Sequence, residues 1–146
     1  MARLGLSTLP FVGMGHLDWL AGGRGLESQS LLKPSAVHAL AALRVAAGDS
    51  LRDALSAAAG LELDRVDDGQ WDRLDMAQAI VFEDSFRGLQ SARGAQSALQ
   101  GIGVRLELDL RGVTTAAAKR RALEGAGGAI YPDFTSAAIG IFSDAA

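Results

Sequence analysis

A chain of 146 residues, 49% hydrophobic and 21% charged, has the size and balance of one globular domain with its own core rather than of a disordered segment. Its 14 basic and 17 acidic residues leave a formal charge of −3, and no basic stripe or polybasic run points to nucleic acid or a membrane surface. The absence of cysteine excludes disulfides and thiolate metal sites, and no apolar run approaches the roughly 18–20 residues of a membrane span.

The first residues, MARLGLSTLPFVGMG, carry one Arg and an apolar run broken by Pro10 and two glycines. No small-residue cleavage site follows closely, so they do not read as a signal peptide and a cytoplasmic location is expected. Within them, residues 3–8 (RLGLST) are predicted to form a short apolar strand ending in two hydroxyls. Pro10, Gly13 and Gly15 predict a turn. A short helix over 16–23 is stopped by glycine. Pro34 suits the first turn of a helix over 34–47, with Val37, Leu40 and Ala41 on one face and Gly48 as its stop. Asp49 or Ser50 is expected to cap a further helix to about Ala59. Residues 60–75 read as a polar loop.

Residues 77–84 (AQAIVFED) predict a strand whose continuous apolar run fits burial on both faces, as in a parallel sheet. A helix over 86–99 turns Leu89, Ala92 and Leu99 inward. Residues 103–113 predict another strand. A helix over 114–128 has a threonine start and a glycine stop. A short strand over 129–132 and a terminal helix or irregular tail complete the chain. Strands alternating with helices predict an α/β fold, one domain over 1–146, with a mostly parallel sheet of about four strands.

Ligands of such sheets sit at the carboxyl ends of the strands, which directs attention to Ser7, Thr8, Glu83 and Asp84. Two adjacent carboxylates repel unless a cation lies between them or one takes a proton. Oxygen ligands of this kind suit Mg²⁺; equally, Asp84 or Ser85 can simply cap the next helix. Lys33, before Pro34 at a helix start, can point its ammonium at a phosphate or remain a solvated surface lysine. Ser7 and Thr8 can donate to an anion or serve as turn residues. Asp64, Asp67, Asp68, Asp72 and Asp75 invite a calcium-loop reading, but Val66 occupies the third ligand position, and the run reads as a solvated loop. His16 and His38 lack metal-ligand spacing and read as structural. Lys119-Arg120-Arg121 reads as the wet side of a helix, and Gly125–Gly128 as its stop.

Taken together, a strand ending in Ser/Thr, then LLKPSAVHALAAL, then IVFEDSFRGLQSA, then a closing strand, helix and PDF segment resemble the haloacid dehalogenase superfamily over nearly the whole chain. That resemblance implies a Rossmann-like three-layer sandwich. It implies that Lys33 stabilises charge and orients a phosphoryl group, that Asp84 with Glu83 positions Mg²⁺, and that Ser7 or Thr8 hydrogen-bonds a phosphate oxygen. The family's reaction passes through an aspartyl-phosphate, formed on the first acid of an Asp-x-Asp-x-Thr motif.

Here that motif is absent. The nearest look-alike, Asp109-Leu110-Arg111, has Arg at the second acid position and falls after the acid pair, so it reads as a later strand. The family's cap is absent too. The chain therefore resembles the C-terminal part of such a domain, truncated or split and inactive alone, with a phosphorylated small molecule as the implied substrate class. The alternative is a non-catalytic α/β binding or assembly module. Because the first-motif strand belongs in the middle of the family's sheet, either Leu4–Leu6 pairs with Ile80–Phe82, or a second chain, in a homodimer or with another partner, fills the gap.

Overall fold

The computed structural model describes residues 11–139 and 141. The strand expected over residues 3–8, with Ser7 and Thr8, lies outside the described residues. Three helices come first: α1 (Met14–Arg24), α2 (Ala36–Ala46) and α3 (Leu51–Ala59). An alternation then follows of β1 (Gln78–Glu83), α4 (Phe86–Gly101), β2 (Glu107–Val113), α5 (Ala117–Gly125), β3 (Ala129–Tyr131) and α6 (Phe134–Ala138). The strands form one parallel sheet of order β1-β2-β3, with Gln78 beside Glu107 and Arg111 beside Ala129. The fold class is α/β, as the alternation predicts; among the described residues the sheet has three strands. No described helix is long and apolar enough to cross a membrane.

The helix boundaries follow local chemistry. Ser35 caps α2 by accepting from the Val37 N–H at 3.3 Å, and Ser50 caps α3 by accepting from the Asp53 N–H at 3.2 Å, each satisfying a donor that the first turn leaves free. Ser50, not Asp49, is the cap. Gly25, at φ 65°, ends α1 in the left-handed region, where glycine has no β-carbon to clash. The two histidines are structural, as read: the His16 Nδ1 accepts from the Gly13 N–H at 3.1 Å, and the His38 Nε2 lies 2.9 Å from the Val12 carbonyl oxygen.

The main core joins α1, α2, α3 and α4 through Leu17, Leu31, Leu40, Leu55 and Leu99, with Trp71 closing it. Gly94 lets α4 lie close to α2, since a β-carbon there would sit 3.3 Å from that of Ala36. The Ser91 hydroxyl donates to the Ser35 carbonyl at 2.6 Å and pins the same crossing. A smaller cluster of Leu89, Ala92, Leu110 and Leu123 seats α4 and α5 on the sheet. Arg111 follows Leu110 and so points to the opposite face, where its guanidinium donates to the Ala137 carbonyl of α6. Helices thus cover both faces of the sheet.

Two expectations need correction. The run 77–84 was expected to be buried on both faces, yet Ala79 to Glu83 are only half-buried. The reason is topological: β1 is the edge strand among the described residues. The stretch 60–75 is not simply a solvated loop. It contains a π-turn at Gly60–Asp64 and a 3-10 turn at Trp71–Leu74, and it contributes Leu61, Trp71 and Leu74 to the core.

Candidate functional site at the carboxyl end of β1

Lys33 stands in the turn before α2, and Glu83 ends β1. The fold brings them together across 50 residues, the Lys33 ammonium donating to the Glu83 Oε1. The Glu83 side chain is only 14% exposed, so it needs partners that replace water. Lys33 supplies one, and the Ser85 hydroxyl supplies a second at 3.3 Å to Oε2. Ser85 also accepts from the Gly88 N–H at 3.1 Å, which starts α4. The positive end of that helix therefore faces the carboxylate, a favourable arrangement. Gly88 is required by the same contact, because a β-carbon there would overlap the Glu83 carboxyl group.

Asp84 faces elsewhere. Its side chain is 68% exposed, and its Oδ2 accepts from the Lys119 ammonium of α5 at 3.0 Å. Lys119 holds the Asp84 carboxyl below the usual carboxylate range, with Lys33 a smaller contributor. The two adjacent acids are thus each held by a lysine, on separate sides of the strand end. Among the described residues no group of three or more His, Asp or Glu side chains is arranged to hold a metal ion. Mg²⁺ demands near-octahedral oxygen coordination; Glu83 and Asp84 alone do not make that site.

Lys33 and Glu83 also line a cavity of about 690 Å³ bounded by α2, the first turns of α4, β1 and Leu106 and Leu108. His38, Ala39 and Leu43 line it from α2, and the residues from Gln78 to Glu83 line it from β1. A second cavity, of about 660 Å³, lies beside Arg44, Asp49 and Asp68. Arg44 bonds both of these aspartates, and Asp53, which also lines the cavity, accepts from the Ser50 hydroxyl at 2.6 Å.

The aspartate run expected to be a solvated loop is engaged at most positions. Asp64 pairs with Arg24 at 2.8 Å, Asp68 with Arg44 at 3.0 Å and Asp75 with Arg105 at 2.8 Å, while Asp67 accepts from the Gly69 N–H at 2.7 Å. Asp109 lies inside β2, bonded to Arg111 at 2.6 Å, so the segment is the later strand that its position predicts.

Of the residues singled out from sequence, the structure brings Lys33 to Glu83 and leaves Asp84 beside them with its own partner. Ser7 and Thr8 are outside the described residues. Lys119 was missed, having been read as part of a wet helix face. A signal was available: α5 follows β2, and helices that follow parallel strands begin at the same carboxyl edge. No known protein family, curated protein or solved structure matches the chain.

Proposed function

We propose that this chain is the phosphate-facing part of a haloacid dehalogenase-like, Rossmann-like phosphohydrolase domain that does not turn over phosphate esters by itself. The observation that carries the reading is the meeting of Lys33 with Glu83. A lysine at a helix start and an acid at a strand's carboxyl end converge on one point, beside the N-terminus of α4. An ammonium there suits a phosphoryl oxygen, and a nearby helix N-terminus strengthens its hold on an anion. In this reading Glu83 and Asp84 supply at most part of a Mg²⁺ coordination shell, and further ligands come from outside the described residues. No Asp-x-Asp-x-Thr occurs in the sequence, so no aspartate of that motif forms a covalent phosphoryl intermediate.

The test is an NMR titration of the intact chain with inorganic phosphate, with and without Mg²⁺. The Lys33 side chain and the amides of Ser85 and Gly88 are expected to shift, and Lys33→Met to abolish the shifts. No turnover of a generic phosphate ester is expected in either condition. Phosphate that leaves Lys33, Ser85 and Gly88 unmoved overturns the reading. Turnover by the purified chain, abolished by Asp84→Asn, overturns the claim that the missing motif is essential. The second reading, a non-catalytic α/β binding or assembly module, draws on the two lysine–acid pairs, which leave neither carboxylate free. It expects the unmoved outcome.

A further inference from the structure

We propose that the outer face of α4 and α5 is a docking surface for a short acidic peptide segment of a partner protein. The inference rests on charge and packing away from Lys33 and Glu83, and it does not depend on phosphate chemistry.

The two helices lie side by side on the sheet. Leu89 and Ala92 of α4 and Leu123 of α5 share one buried cluster with Leu110 of β2. Two hydrogen bonds tie the pair together near the two ends of α5. The Lys119 ammonium donates to the Asp84 Oδ2 at 3.0 Å, just before α4 begins. The Arg93 Nε donates to the Ala126 carbonyl at 2.8 Å, just after α5 ends. The first half of α4 therefore runs along the whole of α5, in the same direction. What this layer shows to solvent is basic. Arg87 and Arg93 of α4 and Lys119, Arg120 and Arg121 of α5 are all exposed. The sequence scatters these charges over two segments; the fold gathers them.

The imbalance is local. α4 and α5 hold five basic residues and one acid, Glu124, a formal +4 in a chain of formal charge −3. The rest of the chain therefore carries −7. Among the described ion pairs only Lys119 of the five meets a carboxylate. Crowded like charges raise the energy of the bare surface, and an anion laid across them relieves it.

Three features choose the anion. Four of the five cations are arginines, whose planar guanidinium pairs with a carboxylate through two parallel hydrogen bonds. The surface is short: the nine residues of α5 rise about 14 Å, the length of roughly four extended peptide residues. Acids close it at both ends, Asp84 before α4 and Glu124 in the last turn of α5. A nucleic acid strand or an anionic bilayer extends past those ends over the acidic remainder and is repelled by it; a short peptide is not. A second copy of the chain is a poor donor of such a peptide. Its acid run from Asp64 to Asp75 is already held by Arg24, Arg44 and Arg105.

The test is titration of the intact chain with a penta-glutamate peptide at low salt, read by amide NMR, with penta-glutamine as the neutral control. Amide shifts are expected in α4 from Phe86 to Arg93 and throughout α5. They are expected to fade as salt rises and to be absent with penta-glutamine. Arg120→Gln with Arg121→Gln is expected to weaken the peptide about tenfold, the scale of two exposed ion pairs, without moving the thermal midpoint. Arg52→Gln with Arg65→Gln removes the same charge from α3 and the turn after it, and is expected to leave the affinity unchanged. An unmoved α4 and α5 overturns the proposal. So does an equal loss in both double variants, which reduces the binding to net charge. So does tighter binding of oligothymidylate or of phosphatidylserine vesicles than of penta-glutamate at the same salt, which assigns the face to nucleic acid or to a membrane. Shifts in the same amides that grow with protein concentration alone assign it to a second copy and overturn the proposal as well. Lys33→Met is expected to leave all of these measurements as they are, so a failure here and a failure of the phosphate reading are distinguishable.

Discussion

At Gly88 a single missing β-carbon joins backbone design to site design. Any larger residue there meets the Glu83 carboxyl group. That group is the end of a flexible side chain, so it moves before the backbone does. Gly88→Ala is therefore expected to swing Glu83 away from Lys33 and leave α4 intact. Alanine is favoured over glycine inside a helix by about 1 kcal/mol, so the thermal midpoint should hold or rise. The ¹⁵N shift of the Lys33 ammonium should meanwhile move toward that of a solvated lysine. A large fall in the midpoint would show that Glu83 is locked and the helix pays instead. The paired acids and a possible Ser85 cap were legible in the sequence; the contact that fixes Gly88 against Glu83 was not. The separate partners of those acids were not legible. β1 ends at Glu83, which meets Lys33, while Asp84 lies in the bend beyond the strand and meets Lys119. Neither lysine lies near them in sequence, so only the fold reveals the pairing.

Among the elements, the stretch between α3 and β1 departs furthest from its sequence reading. A lone Trp71 in a polar run carries no periodicity, so nothing local marks it as core. Its burial comes from a distant partner: the Arg44 guanidinium of α2 sits 4.7 Å from its ring centroid and also bonds Asp49 and Asp68. Burial opposes the charge on Arg44, yet the two aspartates outweigh it and raise its pKa. Arg44→Met removes the only basic side chain that bridges Asp49 and Asp68 among the described ion pairs. The expected loss is about 3 kcal/mol, the scale for breaking one side of a buried pair, read by urea denaturation; a loss below about 1 kcal/mol would mark the network as a surface one. The same stretch predicts an acid response. Arg105, through its side chain and then its backbone, holds the Asp75 carboxyl at about 2 against an ordinary 3.8. The unfolded chain takes up this proton near 3.8 and the folded chain only near 2. The stability it contributes is thus complete above the higher value and is lost as pH falls toward the lower one. Asp49 and Asp68, also held low by arginines against the effect of burial, act in the same direction. Asp75→Asn is expected to flatten the fall in denaturation midpoint below pH 4 and to leave the curve near pH 7 parallel to that of the parent. An unchanged acid slope would show that the Asp75–Arg105 contact does not persist in solution.

Across the whole molecule, the alternation of strands and helices was readable because β1 is a short apolar run, β2 sets its leucines at strand spacing and each helix has a recognisable cap or stop. What was not readable is how unevenly the core is shared. The larger cluster takes in α1, α2, α3, much of α4 and the turns that carry Leu31 and Trp71. The smaller one has four buried residues, and Leu123 is the sole buried residue of α5. The three-residue β3 and five-residue α6 add little more. Local opening free energy follows buried apolar contact, so the segment from α5 to α6 should open before the helical core does. Its tie to the sheet is Leu123, which packs where Gly112 lacks a β-carbon: one placed there would lie 3.1 Å from the Leu123 Cδ1. Leu123→Ala empties that contact at an expected cost of about 3 kcal/mol. Native-state hydrogen exchange should then show α5 and β3 amides opening faster, while those of α2 and α3 keep the parent rates. Leu40→Ala, an equal truncation in the larger cluster, should instead lower protection everywhere, because that cluster holds the helices on which the sheet is built. Equal losses across the chain in both variants would show that the two clusters open as one unit, and the carboxyl end of β1 would then be no more mobile than the helices behind it.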